Sequence, residues 1–159
     1  PGGAVPDRGP VMSPVSARLC HLPRIASILW AFTHGTPWLP RVRSRRDDLS
    51  ALAWVMVRGW VRILHDRAGV AGFIIRDGTR VHALYVAPDR RGQGVGRALL
   101  AEAKARAGTL DLWVLAGNVP ARAFYLAQGF REVARGQGAG NDEGLPDILM
   151  IWQHGRGAA

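Results

Sequence analysis

The chain has 159 residues, of which 48% are hydrophobic and 21% charged, the balance of one ordinary globular domain with a real core. No apolar run approaches the roughly 20 residues a membrane helix needs, and a single cysteine, Cys20, excludes an intramolecular disulfide and argues against a zinc site. The net charge of +9 invites a nucleic-acid reading, but of the 21 basic residues only Lys104 is a lysine, and the arginines are spread along the chain, so a compositional habit explains them better than a binding face. Nothing requires an oxidising compartment, and the cytoplasm is the expected location.

Residues 1–14, rich in Pro and Gly and without apolar periodicity, read as a mobile tail with Met12 a candidate initiator. Residues 15–155 are expected to form a single domain and 156–159 a short tail. Val15 to Arg18 suit a short first strand. Pro23 fits the first turn of a helix, and Ile25, Ile28, Leu29 and Phe32 at helical spacing carry it to about Thr33. Two prolines and a glycine make a loop after it. The group Arg41, Arg43, Arg45 and Arg46 reads as a solvated face, a docking surface for an acidic partner being the alternative. Ser44 and Asp47 have capping-box spacing, with Asp in place of Glu, and open a second helix to about Arg58 that turns Leu49, Leu52, Ala53 and Met56 inward. Trp60–Asp66, Val70–Arg76 and Arg80–Val86 read as three strands of an antiparallel meander, broken at Arg67-Ala68-Gly69 and at Asp77-Gly78, a tight-hairpin signal.

The meander leads into ALYVAPDRRGQGVGR, residues 83–97. Pro88 ends the strand because it has no N–H for a ladder. Gly92, Gly94 and Gly96 then alternate with Gln93 and Val95, and a helix is expected from Arg97, with Leu99, Leu100 and Ala103 toward the sheet and Gly108 at its end. Unpaired amides at a helix start, facing an open glycine loop beside Arg90, Arg91 and Arg97, attract an anion. A phosphate or pyrophosphate site follows. A Walker loop is excluded for want of Lys and Ser/Thr, and a dinucleotide fingerprint fits poorly because its third glycine position is Arg97. A turn without a ligand remains, but three alternating glycines beside three arginines exceed what a turn needs. Beyond the helix, Leu110 to Ala116 is an apolar strand. Asn118 and Pro120 open a helix that Gly129 stops. Phe130 to Arg135 is a strand, the Gly-rich segment to Pro146 a loop, and Asp147 to Gln153 the last strand. The order implies an α+β fold, one mixed sheet with helices on both faces.

Arg91-Gly92-Gln93-Gly94-Val95-Gly96 resembles the R/Q-x-x-G-x-G/A signature of the GCN5-related N-acetyltransferase (GNAT) superfamily, and Leu84 to Pro88 is similar to that family's fourth strand. Downstream, Asn118, Ala121, Phe124, Tyr125, Gly129 and Phe130 resemble its N-x-x-A-x-x-F-Y-x-x-x-G-F segment. Two signatures in order are far more specific than either alone. The resemblance implies a mostly antiparallel six- to seven-stranded sheet, splayed between strands four and five, with acetyl-CoA as co-substrate and no metal. It also implies that main-chain groups of Leu84, Tyr85 and Val86 hold the pantetheine arm and thioester, that the loop from Gly92 to Arg97 holds the pyrophosphate with help from Arg91, and that Asn118 bonds the arm from the other side. The expected activity is acetyl transfer to a primary amine of a small molecule, peptide or protein, by direct attack on the thioester. A non-catalytic acyl-CoA sensor on the same fold is the alternative. Related sequences with W-L-P-x-x-H-T carry a histidine where this chain has Arg43, which leaves the acceptor open. The sequence separately leaves open the choice between monomer and homodimer.

Tyr125 stands where the family places its general acid. A phenol near pKa 10 can protonate a departing thiolate of similar basicity; taken alone, it would pass for an amphipathic residue at a helix edge. The base is less determined. A lysine amine costs roughly 4–5 kcal/mol to neutralise at pH 7, an α-amine only about 1. His82, on the strand entering the site, titrates in the right range, with an ordinary strand histidine the competing reading. His34 is a weaker candidate. Glu143 and Asp147 resemble an acidic patch of some relatives and suit a cationic acceptor.

Overall fold

A computed structural model describes residues 13–155, so most of the expected N-terminal tail, with Met12, and residues 156–159 lie outside the described residues. Local turn chemistry sets the first half of the sheet. Strands β1 (Val15–Ser16), β2 (Val61–Asp66), β3 (Gly69–Asp77) and β4 (Arg80–Val86) pair antiparallel in sequence order. The β2–β3 turn is held by Asp66, whose Oδ1 accepts from the Ala68 amide at 2.9 Å. In the β3–β4 hairpin Asp77 pairs with Arg80, so the two loop residues are Gly78 and Thr79 rather than the expected Asp-Gly pair. Gly78, at φ +57, takes the first loop position, where a primed turn needs a glycine.

Two helices fill the first crossing. In α1 (Leu22–His34) Pro23 occupies the first turn, and in α2 (Arg45–Val57) the Ser44 Oγ accepts from the Asp47 amide at 3.1 Å, the expected cap. Helix α3 (Val95–Arg106) leads to β5 (Thr109–Leu115), and α4 (Val119–Ala127) to β6 (Arg131–Gly136) and β7 (Asp147–Gln153). Helix α3 begins earlier than expected, because Gly94 at φ +81 turns the chain into it and leaves Gly96 inside its first turn. Its end is also earlier: Ala107 is already extended at φ −137, ψ 136, and Gly108 belongs to the approach to β5.

The sheet order is β1-β2-β3-β4-β5-β7-β6. Only β4 and β5 run parallel, and their one paired position is Arg80 with Asp111. Beyond that position the strands part, so the sheet is splayed between its fourth and fifth strands. Two apolar layers cover its faces. Helices α1 and α2 pack Ile25, Ile28, Leu52 and Met56 on Val61, Ile63 and Phe73. On the other face Val95, Leu99 and Leu100 of α3 and Tyr125 of α4 meet Ile74, Leu112, Ile148 and Met150. The second layer joins β3 to β5 and β7 beneath the splay, so the strands can separate above while the core holds them from below.

Candidate active site

The glycine loop lies at the open end of the splay. After Arg90, whose amide bonds the Ala87 carbonyl at 2.9 Å, the next backbone donor with a partner is Ala98, bonded to Gly94 at 3.0 Å. Among the described residues the amides from Arg91 to Arg97 make no hydrogen bond. They include the first-turn amides of α3, which no helix can satisfy internally. Gly92 (φ +74) and Gly94 (φ +81) adopt a backbone that side chains resist, and that geometry leaves the donors outward. Gly96 serves packing instead: a Cβ there would lie 3.3 Å from the Phe124 ring. Val95 is buried and offers only its amide.

The charges around this loop are unequal. Arg90 is neutralised by Asp66, whose carboxyl it holds below the usual range, and its Nε donates to Gln93 Oε1 at 3.0 Å. Gln93 in turn donates to the Asp89 carbonyl, so its side chain braces the loop. Arg91 and Arg97 are exposed and enter no ion pair among the described residues. They are the free positive charges at the amides.

Beside the loop runs the inner edge of β4. Ala87 donates to the Ala71 carbonyl at 2.8 Å. Antiparallel alternation then commits the main chain of Tyr85 to Phe73 and turns that of Leu84 and Val86 toward the gap. Of the three residues expected to offer main-chain bonds, two present them; Tyr85 contributes its ring. Asn118 caps α4 with Oδ1, which accepts from Ala121 at 3.3 Å, and its amide nitrogen has no partner among the described residues.

Two tyrosines approach the gap from opposite faces. Tyr125 is 8% exposed, edge-on to Phe124 and Phe130 at ring separations of 5.2 and 5.4 Å, and its hydroxyl has no hydrogen bond among the described residues. Burial, and secondarily Tyr85, push its pKa up, so it stays a proton donor at neutral pH. It is therefore a weaker acid than the free phenol the sequence suggested, better suited to give a hydrogen bond than to give up its proton. Tyr85, between Phe32 and Phe73 at 5.0 and 5.7 Å, is pushed up to about 12 by burial and then by Glu143 and Asp48.

The face of α1 and α2 is the other wall. His82 is exposed and lies flat on Trp60, with rings 5.6 Å apart and 11° between planes. The register slips here: Ile75 pairs with Ala83 and Arg76 with Val81, so His82 is the extra residue of a β-bulge. The bulge aims it onto the face opposite Tyr125, about 10 Å along the strand from Tyr85. The structure does not bring His82 and Tyr125 together; His82 instead lines a cavity of about 470 Å³ with Trp113, Asn141 and Asp147. Arg43 sits between Asp48 (4.0 Å) and Asp142 (3.9 Å), and Trp30 Nε1 donates to Asp48 Oδ2 at 3.0 Å. His34, in the last turn of α1, makes no side-chain hydrogen bond among the described residues. Only the Arg43–Asp142 pair joins residues far apart in the chain; the bulge lies within one hairpin and Asp48 is five residues from Arg43, and no sequence motif marks either. Among the described residues no His, Cys, Asp and Glu cluster could hold a metal ion.

Comparison with known proteins adds to this geometry. The family profile described as an Acetyltransferase (GNAT) domain matches residues 51–132. The curated peptidyl-lysine N-acetyltransferase YjaB of Salmonella typhimurium is 35% identical over 91 residues, 57% of this chain and 61% of that protein, so the chain spans about three fifths of its length. The solution structure of apo YjaB from Escherichia coli superposes with a TM-score of 0.75 at 23% identity, covering 89% of this chain and 97% of that one. The Salmonella typhimurium yncA structure, solved with acetyl-CoA, superposes with a TM-score of 0.67 at 21% identity, covering 94% and 98%.

Proposed function

The chain belongs to the GNAT acetyltransferase family, and from that premise we propose that it transfers the acetyl group of acetyl-CoA to a primary amine of a peptide, protein or small molecule. One observation carries the reading: the unsatisfied amides from Arg91 to Arg97 lie at the end of an unpaired strand edge. A diphosphate suits the first and a pantetheine arm, lying as an added strand, the second. Arg91 and Arg97 add charge-assisted bonds, Leu84 and Val86 bond the arm, and Asn118 Nδ2 meets it from α4.

The amine lone pair forms the C–N bond as the C–S bond breaks. Tyr125 gives a hydrogen bond to the departing sulfur from the α4 face. The amine arrives from the other face, where His82 is the candidate to take its proton. The names of the curated relatives support a lysine side chain as the acceptor. We take residues 15–155 as one transferase domain and the cytoplasm as its compartment.

Calorimetric titration tests the site. Acetyl-CoA is expected to bind saturably and an acetyl thioester of a short phosphate-free thiol about a hundredfold more weakly, since several charge-assisted bonds are lost. Equal binding overturns the assignment of the loop. Tight acetyl-CoA binding with no transfer to any of a panel of amines leaves the sensor reading.

A further inference from the structure

Of the 21 basic residues only Lys104 is a lysine. It stands in the last turn of α3, and nothing in the chemistry proposed for the gap uses it. Its Nζ donates to the carbonyl of Gln128, the C-cap of α4. The same nitrogen lies 5.1 Å from the centre of the Trp152 ring and 6.0 Å from that of Phe130. One nitrogen therefore ties α3 to the end of α4 and to β7. No carboxylate balances it among the described residues, since the nearby Glu102 pairs with Arg62 and Arg106.

Lys104 is only partly buried, and it lines a cavity of about 430 Å³ with Arg106, Gly108, Trp152 and His154. Its amine is thus within reach from outside. Burial lowers its pKa, so the free amine appears at a lower pH than on a fully exposed lysine. Arg106 and His154 are the titratable groups that share the cavity, and the Arg106 guanidinium draws an anionic visitor toward it. An arginine in place of Lys104 would stay charged; only a lysine can shed its proton and become a nucleophile.

We propose that Lys104 is a modification site: its amine takes an acetyl group directly from acetyl-CoA, outside the gap between β4 and β5, and the loss of its charge loosens α3 from α4. The amine lone pair attacks the thioester carbonyl. The C–N bond forms as the C–S bond breaks, one amine proton passes to the His154 ring or to water, and coenzyme A leaves as its thiolate. The amide that results carries no charge, so the bond to Gln128 is no longer charge-assisted and the attraction to the two rings is lost. The inference rests on the co-substrate of the function proposed above, but on no catalysis in the gap, because Lys104 is about 14 Å along α3 from Val95 at the loop.

The folded protein incubated with acetyl-CoA, beside Nα-acetyl-lysine amide as an exposed reference amine, tests this by peptide mass spectrometry. No other side-chain amine competes in the chain. Lys104 is expected to be acetylated several-fold faster than the reference at neutral pH, with its pH profile displaced downward, and to fall to the reference rate in concentrated urea. A folded rate at or below the reference overturns the site. The rate constant should not change when the protein is diluted; a fall in proportion makes another copy the catalyst and overturns the direct reaction. Lys104→Gln, uncharged like the modified residue, should melt about 2–4 °C below Lys104→Arg, and equal midpoints overturn the loosening. Rapid acetylation of Lys104 without saturable acetyl-CoA binding keeps this inference and refutes the transferase reading instead.

Discussion

Tyr125 and Tyr85 are the only two tyrosines in the chain, so phenol ionisation reads them without interference. Burial holds both protonated above their ordinary range, Tyr85 up to about 12. Near-ultraviolet titration of the folded protein should therefore show no phenolate at pH 10, where the unfolded chain is half ionised. Stability follows with a definite sign. Below pH 10 the protons are bound in both states; above it the unfolded chain sheds them first, so unfolding becomes easier as pH rises, by at most about 1.4 kcal/mol per pH unit for each tyrosine. Urea melts at pH 8 and above pH 10 check this, and Tyr125→Phe should flatten the slope. The same variant should lower kcat by about 10²-fold, at the low end for a proton donor because its hydroxyl is already a reluctant acid, while moving the Kd for acetyl-CoA little. Unchanged kcat removes Tyr125 from the chemistry. Its place in the F-Y-x-x-x-G-F segment was legible in the sequence. Its weakened acidity was not, because burial comes from Phe124, Phe130 and the sheet together.

At the scale of elements, the decisive piece is the turn into α3. Gly94→Ala forces a side chain into the left-handed region at about 1–2 kcal/mol and is expected to weaken acetyl-CoA binding about tenfold, read by calorimetry. Ser44→Ala removes the cap of α2, should cost about 1 kcal/mol in a urea melt, and should leave acetyl-CoA affinity alone. No turn, cap or motif singles out Gly72 in β3. A Cβ there would meet Val95 Cγ1 at 2.8 Å and the Tyr85 carbonyl at 2.9 Å, so Gly72→Ala should destabilise by about 1–3 kcal/mol and displace the start of α3. Caps and hairpins were readable because their physics is local. The role of Gly72 was not, because the contact that requires it joins β3 to a helix more than twenty residues later.

For the whole molecule, the topology does two things at once. The β4-α3-β5 crossover brings the α3 amides to the open end of the parallel pair, where such sheets bind ligands. On the function proposed above, donor and acceptor would enter the splay from opposite faces. Acetyl-CoA should stabilise the fold, by about 2.7 kcal/mol when present at a hundred times its Kd. With Arg91 and Arg97 both changed to alanine, that gain should shrink, and so should its dependence on salt, because among the described residues these are the unpaired charges beside the loop. A thermal melt with and without ligand at two ionic strengths measures both.

By itself the sequence determined the order of elements, the two family signatures and the glycine loop whose amides stay unpaired among the described residues. Each is written in residues close together, where spacing, turn chemistry and unpaired helix amides act over a few positions. The tertiary structure alone decided that β4 and β5 part beyond Arg80 and Asp111, which face His82 looks onto, and that Arg90 pairs with Asp66 while Arg91 and Arg97 enter no ion pair among the described residues. Those follow from burial and from ion pairs between distant segments, and no local pattern records which partner a charge will find once the sheet has closed.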